Sequence, residues 1–164
     1  MPFAITKRNA LQGLLIYAAG DSVAAMILGV FSPWRLMGIM LIGATVYAWE
    51  IPAYFRWIDR RTSATGNGPR RALARTGLAL LYFNPLWIAR HLLFIVLFSA
   101  NGEALRLALL QTAFLSWLVN IPIAIVGNFV IQVVLPLRWR FAGSAIFSGL
   151  MAIYYALSGV WFDA

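Results

Sequence analysis

The chain has 164 residues, of which 62% are hydrophobic and only 11% are charged, whereas an ordinary globular domain carries roughly a quarter charged residues. A chain of this composition cannot cover itself with polar surface in water, so we expect one membrane-embedded domain over residues 1–164. It has no cysteine and a single histidine, His91. These counts exclude disulfides, thiolate-ligated metals, a histidine-rich metal site and bis-histidine haem, and we expect neither a metal nor a cofactor.

Apolar runs predict about five helices that each cross the bilayer, because ~20 apolar residues span its hydrocarbon core. The predicted helices cover residues 10–31, 36–55, 77–99, 107–135 and 141–161. Only one separator is long, and it forms a predicted basic loop over residues 56–76. The fold class is therefore all-α, a polytopic transmembrane helix bundle. The first run has no evident small-residue cleavage site near Gly29, so we interpret it as a retained crossing and not as a signal peptide.

Basic residues divide unequally between the two sides that five crossings create. Lys and Arg concentrate in cytoplasmic loops, so the richer side is predicted to lie inside, together with the amino terminus. That side collects Lys7, Arg8, Arg56, Arg60, Arg61, Arg70, Arg71, Arg75, Arg138 and Arg140. The other side keeps Arg35 and Arg106.

The net charge of +8 belongs to residues at the edges of apolar runs, which indicates membrane topology and not nucleic-acid binding. The basic loop is also predicted to contact anionic membrane lipids, since each basic residue near such a surface contributes ~1 kcal/mol. Its candidate residues are Arg60, Arg61, Arg70, Arg71 and Arg75.

Four ionisable residues fall within the predicted crossings: Asp21, Glu50, Arg90 and His91. A charge at membrane depth costs ~2.5–3.5 kcal/mol or more, so it needs a partner, a cavity or a function. Asp21 and Arg90 lie at similar predicted depth and form the simplest pair, with Glu50 as the rival partner. Two interpretations stay open, a buried ion pair that fixes helix register and a polar path through the bundle. His91 is in turn either a hydrogen-bonding residue or a proton-responsive one.

The fourth predicted helix carries polar side chains at steps of four residues, and residues four apart are neighbours on a helix surface. This ribbon consists of Thr112, Ser116, Asn120, Asn128 and Gln132, with Ala124 filling the gap. It has two interpretations as well, since small and amide side chains hold membrane helices together and also line water paths. With Asn84 and the four ionisable residues, Asn120, Asn128 and Gln132 form the candidate solute pathway.

Two family resemblances support a transport function. Gly20-Asp21, the segment 54–59, Pro85, Pro122 with Asn128-Phe129, and the segment 136–140 distantly resemble the Mpv/PMP family of small channel-forming proteins of peroxisomal and inner mitochondrial membranes. A second pattern is similar to the bacterial alanine exporter family. It comprises Asp21-Ser22, Ala24-Ala25-Met26, Ala48-Trp49 with Pro52 and Tyr54, and Phe83-Asn84-Pro85. Both resemblances imply small polar solutes crossing a membrane.

The function expected from the sequence is a transporter or channel for small polar solutes. Partners would be membrane lipids, the solute, and a second copy or another membrane subunit. The expected location is a bacterial inner membrane, with an organelle membrane as the alternative. A second hypothesis is a non-transporting accessory subunit of a larger membrane complex. The weakest is a membrane enzyme acting on lipid head groups, because the chain has no GxSxG, HExxH, Walker or GxGxxG motif and only five acidic residues.

Overall fold

The computed structural model describes residues 5–66, 68–82, 97, 118 and 120–162, with side chains as far as residue 154. Within these ranges the chain is helical and contains no strand. Five helices are described: α1 (Lys7–Ile27), α2 (Pro33–Thr65), α3 (Pro69–Tyr82), α4 (Asn120–Val134) and α5 (Leu137–Phe162). The all-α class is thus confirmed for the described residues. Asn84, Arg90 and His91, together with most of the third predicted helix, lie outside them.

Local signals explain where α1 begins and ends. The Thr6 hydroxyl accepts a hydrogen bond from the Asn9 backbone N–H at 3.1 Å, which caps the amino end. At the other end Gly29 has φ +68°, and the Gly29 and Val30 N–H groups donate to Met26 O and Ala25 O. This is a Schellman motif, in which glycine supplies the left-handed residue. The helix therefore stops short of the predicted end at residue 31.

The predicted loop over residues 56–76 is wrong, because both of its ends are helical. The α-helical part of α2 continues to Arg61, a 3-10 turn extends the helix to Thr65, and α3 begins at Pro69, leaving residues 66–68 as the connection. Arginine favours helices, and Arg60 and Arg61 in the last turn also interact favourably with the helix dipole. The polarity of these turns was mistaken for a loop signal, whereas Gly66, Gly68 and Pro69 determine the break.

Two segments are π-helical, one within α2 and one at the carboxyl end of α4. In α2, residues Gly43–Tyr47 are π-helical between the α-helical parts Pro33–Ile42 and Ala48–Arg61. In α4, residues Val130–Val134 are π-helical. Single π turns are uncommon and frequently occur at functional sites. The apolar pattern of the sequence does not predict either of them.

The contacts between helices fix their directions. Gly13 lies against the backbone of Gly43, and Asp21 pairs with Arg35, so α1 and α2 are antiparallel. Gly20 lies against Gly149. The Arg8 guanidinium lies 4.3 Å from the Trp139 ring centroid, so α1 and α5 are parallel.

The other two helices complete an alternating arrangement. Tyr54 Oη donates to Leu78 O at 2.7 Å, and Asp59 pairs with Arg75, so α3 runs antiparallel to α2. Gly127 faces the Phe147 ring and Gly143 faces Leu135, so α4 runs antiparallel to α5. The described basic residues other than Arg35 therefore gather where α1, α3 and α5 begin. We call this the basic end, formed by Lys7, Arg8, Arg56, Arg60, Arg61, Arg70, Arg71, Arg75, Arg138 and Arg140.

Apolar side chains fill the centre and also cover the outside. Tyr47, Phe55, Ile39, Ile51 and Ile58 are fully buried and join the helices into one core. Large apolar side chains more than half exposed occur on every described helix, among them Leu15, Leu41, Leu81, Val126 and Leu150. Helices α1 and α2 are long and apolar enough, by length and composition, to cross a membrane.

Candidate functional site

Asp21 and Arg35 form a buried ion pair at the end of the molecule opposite the basic end. Arg35 Nε donates to Asp21 Oδ2 at 2.8 Å and Arg35 Nη2 donates to Oδ1 at 2.7 Å. Asp21 is 2% exposed and Arg35 6%. Both carboxylate oxygens thus receive a donor from the planar guanidinium fork, the geometry in which arginine binds a carboxylate most strongly. The pair connects α1 to the first turn of α2.

This pairing differs from the one predicted from the sequence. Asp21 binds Arg35, whereas the sequence predicted Arg90, which lies outside the described residues, as its simplest partner. The tight turn after α1 reverses the chain, so Arg35 returns to the level of Asp21. A partner 14 positions away in sequence was overlooked because Arg35 stands at the edge of its apolar run. With both oxygens occupied, Asp21 fits the register-fixing interpretation.

Glu50 lies far from this pair. It is half-buried in the first turn after the Gly43–Tyr47 segment. Along α2 it stands about 22 Å from Arg35, at a rise of ~1.5 Å per residue. Asp21 and Glu50 therefore occupy different levels of the molecule, and the structure does not bring them together.

The polar ribbon of the fourth predicted helix faces inward. Asn120, Ala124, Asn128 and Gln132 are all buried, with exposures of 3% or less. The four-residue spacing correctly predicted one shared face for these four residues, while Thr112 and Ser116 lie outside the described residues. Asn128 Nδ2 donates to Ala124 O at 2.9 Å within the helix.

Gln132 has the largest unmet hydrogen-bonding capacity of this face. It is 0% exposed, and among the described residues neither its Oε1 nor its Nε2 has a hydrogen-bond partner. It belongs to the π-helical segment Val130–Val134, against which α3 packs. In α3 the buried Thr76 Oγ1 likewise has no hydrogen-bond partner within the part of the chain that the structure describes. An unsatisfied buried polar group costs about 1–3 kcal/mol. A water or a polar solute atom that forms hydrogen bonds at this interface would therefore recover a large part of that free energy.

At the basic end, Asp59 binds two arginines from other helices. Arg140 Nη1 lies 2.9 Å and 2.8 Å from the two Asp59 oxygens, and Arg75 Nη2 donates to Oδ1. Arg140 Nε also donates to Leu135 O at 3.0 Å. One carboxylate thus ties α2, α3 and α5 together, with positive charge in excess. Sequence analysis assigned Arg75 only to lipid contact.

A cleft also opens at the basic end between α1, α2 and α5. Its volume is about 390 Å³, and it is lined by Asn9, Pro52, Phe55, Arg56, Leu137, Arg138 and Phe141. Neither Arg56 nor Arg138 forms an ion pair with another described residue. Sequence analysis missed this site, because its residues come from three distant segments and both arginines were interpreted as topology signals.

The described residues contain no group of His, Cys, Asp and Glu side chains that could hold a metal ion. No protein-family model, curated protein or solved structure matches the chain. The resemblances to the Mpv/PMP and alanine exporter families gain no support from these comparisons and stay predictions.

Proposed function

We propose that this chain is an integral membrane protein whose five helices cross the bilayer alternately, with the amino terminus and the basic end inside. Three observations support this topology. Large apolar side chains face outward on every described helix, where lipid would cover them at no cost. The helices alternate in direction, and α1 runs parallel to α5, as the first and fifth of five crossings must. The basic residues gather at one end, as the positive-inside rule requires.

Within this topology, we propose transport of small polar solutes along the buried amide face of α4. The observation that carries this proposal is Gln132, a fully buried amide whose two polar atoms have no partner in the described ranges of the chain. In hydrocarbon such a group is expensive, so its retention suits a position that meets water or solute. The π-helical turn that holds Gln132 supports this proposal.

The alternative is a non-transporting subunit of a membrane complex, and the Asp21–Arg35 pair favours it. A saturated, nearly fully buried ion pair holds two helices in register and offers no atom to a solute. We therefore remove Asp21 from the proposed pathway and keep Asn120, Asn128 and Gln132.

One substitution separates the two functions. In Gln132→Leu the unpaired amide is replaced by a side chain of similar size, so the thermal unfolding temperature should rise. If Gln132 meets solute, uptake of small polar solutes such as glycine, urea and glycerol should fall about ten-fold in a proteoliposome swelling assay. Val133→Leu, at an exposed neighbouring position, is the matched control and should change neither the unfolding temperature nor the solute uptake.

The outcome also discriminates between the candidate functions. A Gln132→Leu variant with raised stability and full flux would contradict the pathway. Wild-type vesicles without flux of any probe would favour the accessory subunit.

A further inference from the structure

The cleft between α1, α2 and α5 combines a charged rim with an apolar floor. The Phe55 and Phe141 rings at its base are 1% and 3% exposed, and Pro52 adds a further apolar surface. Arg56 and Arg138 are exposed and line the same cleft, with the Asn9 amide beside them. The site thus offers two cations and an amide above a hydrophobic base.

The two arginines differ from the three described arginines that form ion pairs. Arg35, Arg75 and Arg140 each bind an aspartate, whereas Arg56 and Arg138 have no carboxylate partner among the described residues. No acidic side chain lines the cleft. Two guanidinium groups without a counter-ion form a strong site for an anion, and the planar fork of arginine suits phosphate in particular.

The shape of the cleft restricts the anion further. Its volume of about 390 Å³ falls in the range of pockets that hold small ligands, ~300–1,000 Å³. A free inorganic anion would use only the rim and leave the Leu137 side chain, which also lines the cleft and is 47% exposed, in contact with water. A phosphate group attached to an apolar body would use both parts.

We propose that this cleft binds the phosphate head group of an anionic phospholipid of the inner leaflet, with Arg56 and Arg138 on the phosphate and Asn9 on its ester or glycerol oxygens. This inference rests on the membrane placement proposed above and not on transport. Glycerol phosphates and inorganic phosphate share the same anionic chemistry. The test therefore separates the lipid from the soluble anions.

The experiment measures lipid binding to the purified protein in an uncharged detergent by native mass spectrometry. The probes are phosphatidylglycerol, phosphatidylcholine, glycerol 3-phosphate and inorganic phosphate at equal concentration. Wild-type protein should retain phosphatidylglycerol most tightly. A basic residue contributes about five-fold in affinity for anionic lipid, so Arg56→Gln with Arg138→Gln should weaken it about 30-fold.

The matched control is Arg60→Gln with Arg70→Gln, which removes the same charge from exposed positions at the same end but outside the cleft. In uncharged detergent there is no charged bilayer surface for Arg60 and Arg70 to contact, and solvent screens charges that lie outside the cleft, so the affinity of this control for the lipid should change by less than about three-fold. All four arginines are exposed, so both double variants should unfold at the wild-type temperature in lipid-free detergent.

Three results would overturn the proposal. Glycerol 3-phosphate or inorganic phosphate binding as tightly as the lipid would identify a soluble anion as the ligand. Equal retention of phosphatidylcholine would show that the negative charge is not recognised. Equal losses in the cleft and control variants would show that only net charge matters. The lipid-binding measurement does not require that the protein transports a solute. Failure of transport and failure of lipid binding are therefore distinguishable.

Discussion

The Asp21–Arg35 pair provides the strongest quantitative test of the fold. Asp21→Leu leaves the Arg35 guanidinium buried without its anion, and Arg35→Met leaves the Asp21 carboxylate buried without its cation. Breaking a buried pair by removing one partner costs about 3–5 kcal/mol. The side chains of Arg35 and Asp21 are only 8% and 3% exposed, so salt should screen this pair little. Each single variant should therefore lose most of its stability.

Removing both charges should restore much of that loss. A double variant of Asp21→Leu and Arg35→Met fills the same space with apolar atoms, and replacing a buried pair in this way is often neutral or stabilising. We expect it to unfold within about 1.5 kcal/mol of wild type, and the coupling between the two sites to exceed about 2 kcal/mol. The assay is equilibrium unfolding in a mild detergent, followed by tryptophan fluorescence.

A separate variant provides the control for this comparison of the two single variants with the double variant. Thr45→Val removes an exposed hydroxyl that bonds only to Leu41 O within α2 and should change stability by less than about 0.5 kcal/mol. Small, additive effects of the two charge removals would refute the reasoning, because they would mean that water or another group already satisfies each charge.

Two further predictions concern packing and topology. A methyl group at Gly20 would come within 2.5 Å of Gly149 Cα, whereas a methyl group at Gly77 would have no atom of another described residue within 4 Å. Gly20→Ala should therefore lower the free energy of unfolding by about 1–3 kcal/mol, and Gly77→Ala should raise it by up to ~1 kcal/mol. Both changes are measured as shifts of the thermal unfolding temperature. Shifts of the same sign would contradict the close approach of α1 and α5. The chain has no cysteine, so Ser63→Cys and Ser32→Cys each introduce a single label site. A membrane-impermeant maleimide should label the cysteine at position 63 from inside and the cysteine at position 32 from outside. Labelling of both positions from one side would exclude the alternating topology.

Sequence reasoning predicted those features that depend on periodicity. Apolar runs placed both ends of α1 and of α5 within four residues, and the four-residue spacing correctly predicted that Asn120, Asn128 and Gln132 share a buried face. It failed where the decisive contact was a tertiary one. The partner of Asp21 depended on how the Gly29 turn returns the chain, and no local pattern encodes this. The helical turns around Arg60 and Arg71 were missed because charge was interpreted as a loop signal.

The molecule uses its buried polar groups in two different ways. At the Asp21–Arg35 pair every charged oxygen has a donor, and the result is a fixed crossing of α1 and α2. On the α4 face Gln132 stays unpaired inside a π-helical turn. Satisfied buried networks rigidify and specify a fold, whereas an unsatisfied group must be offset by the rest of the structure. A functional role inside the bundle is therefore better sought at Gln132 than at the Asp21–Arg35 pair, the reverse of the order in which an amino-acid sequence presents them.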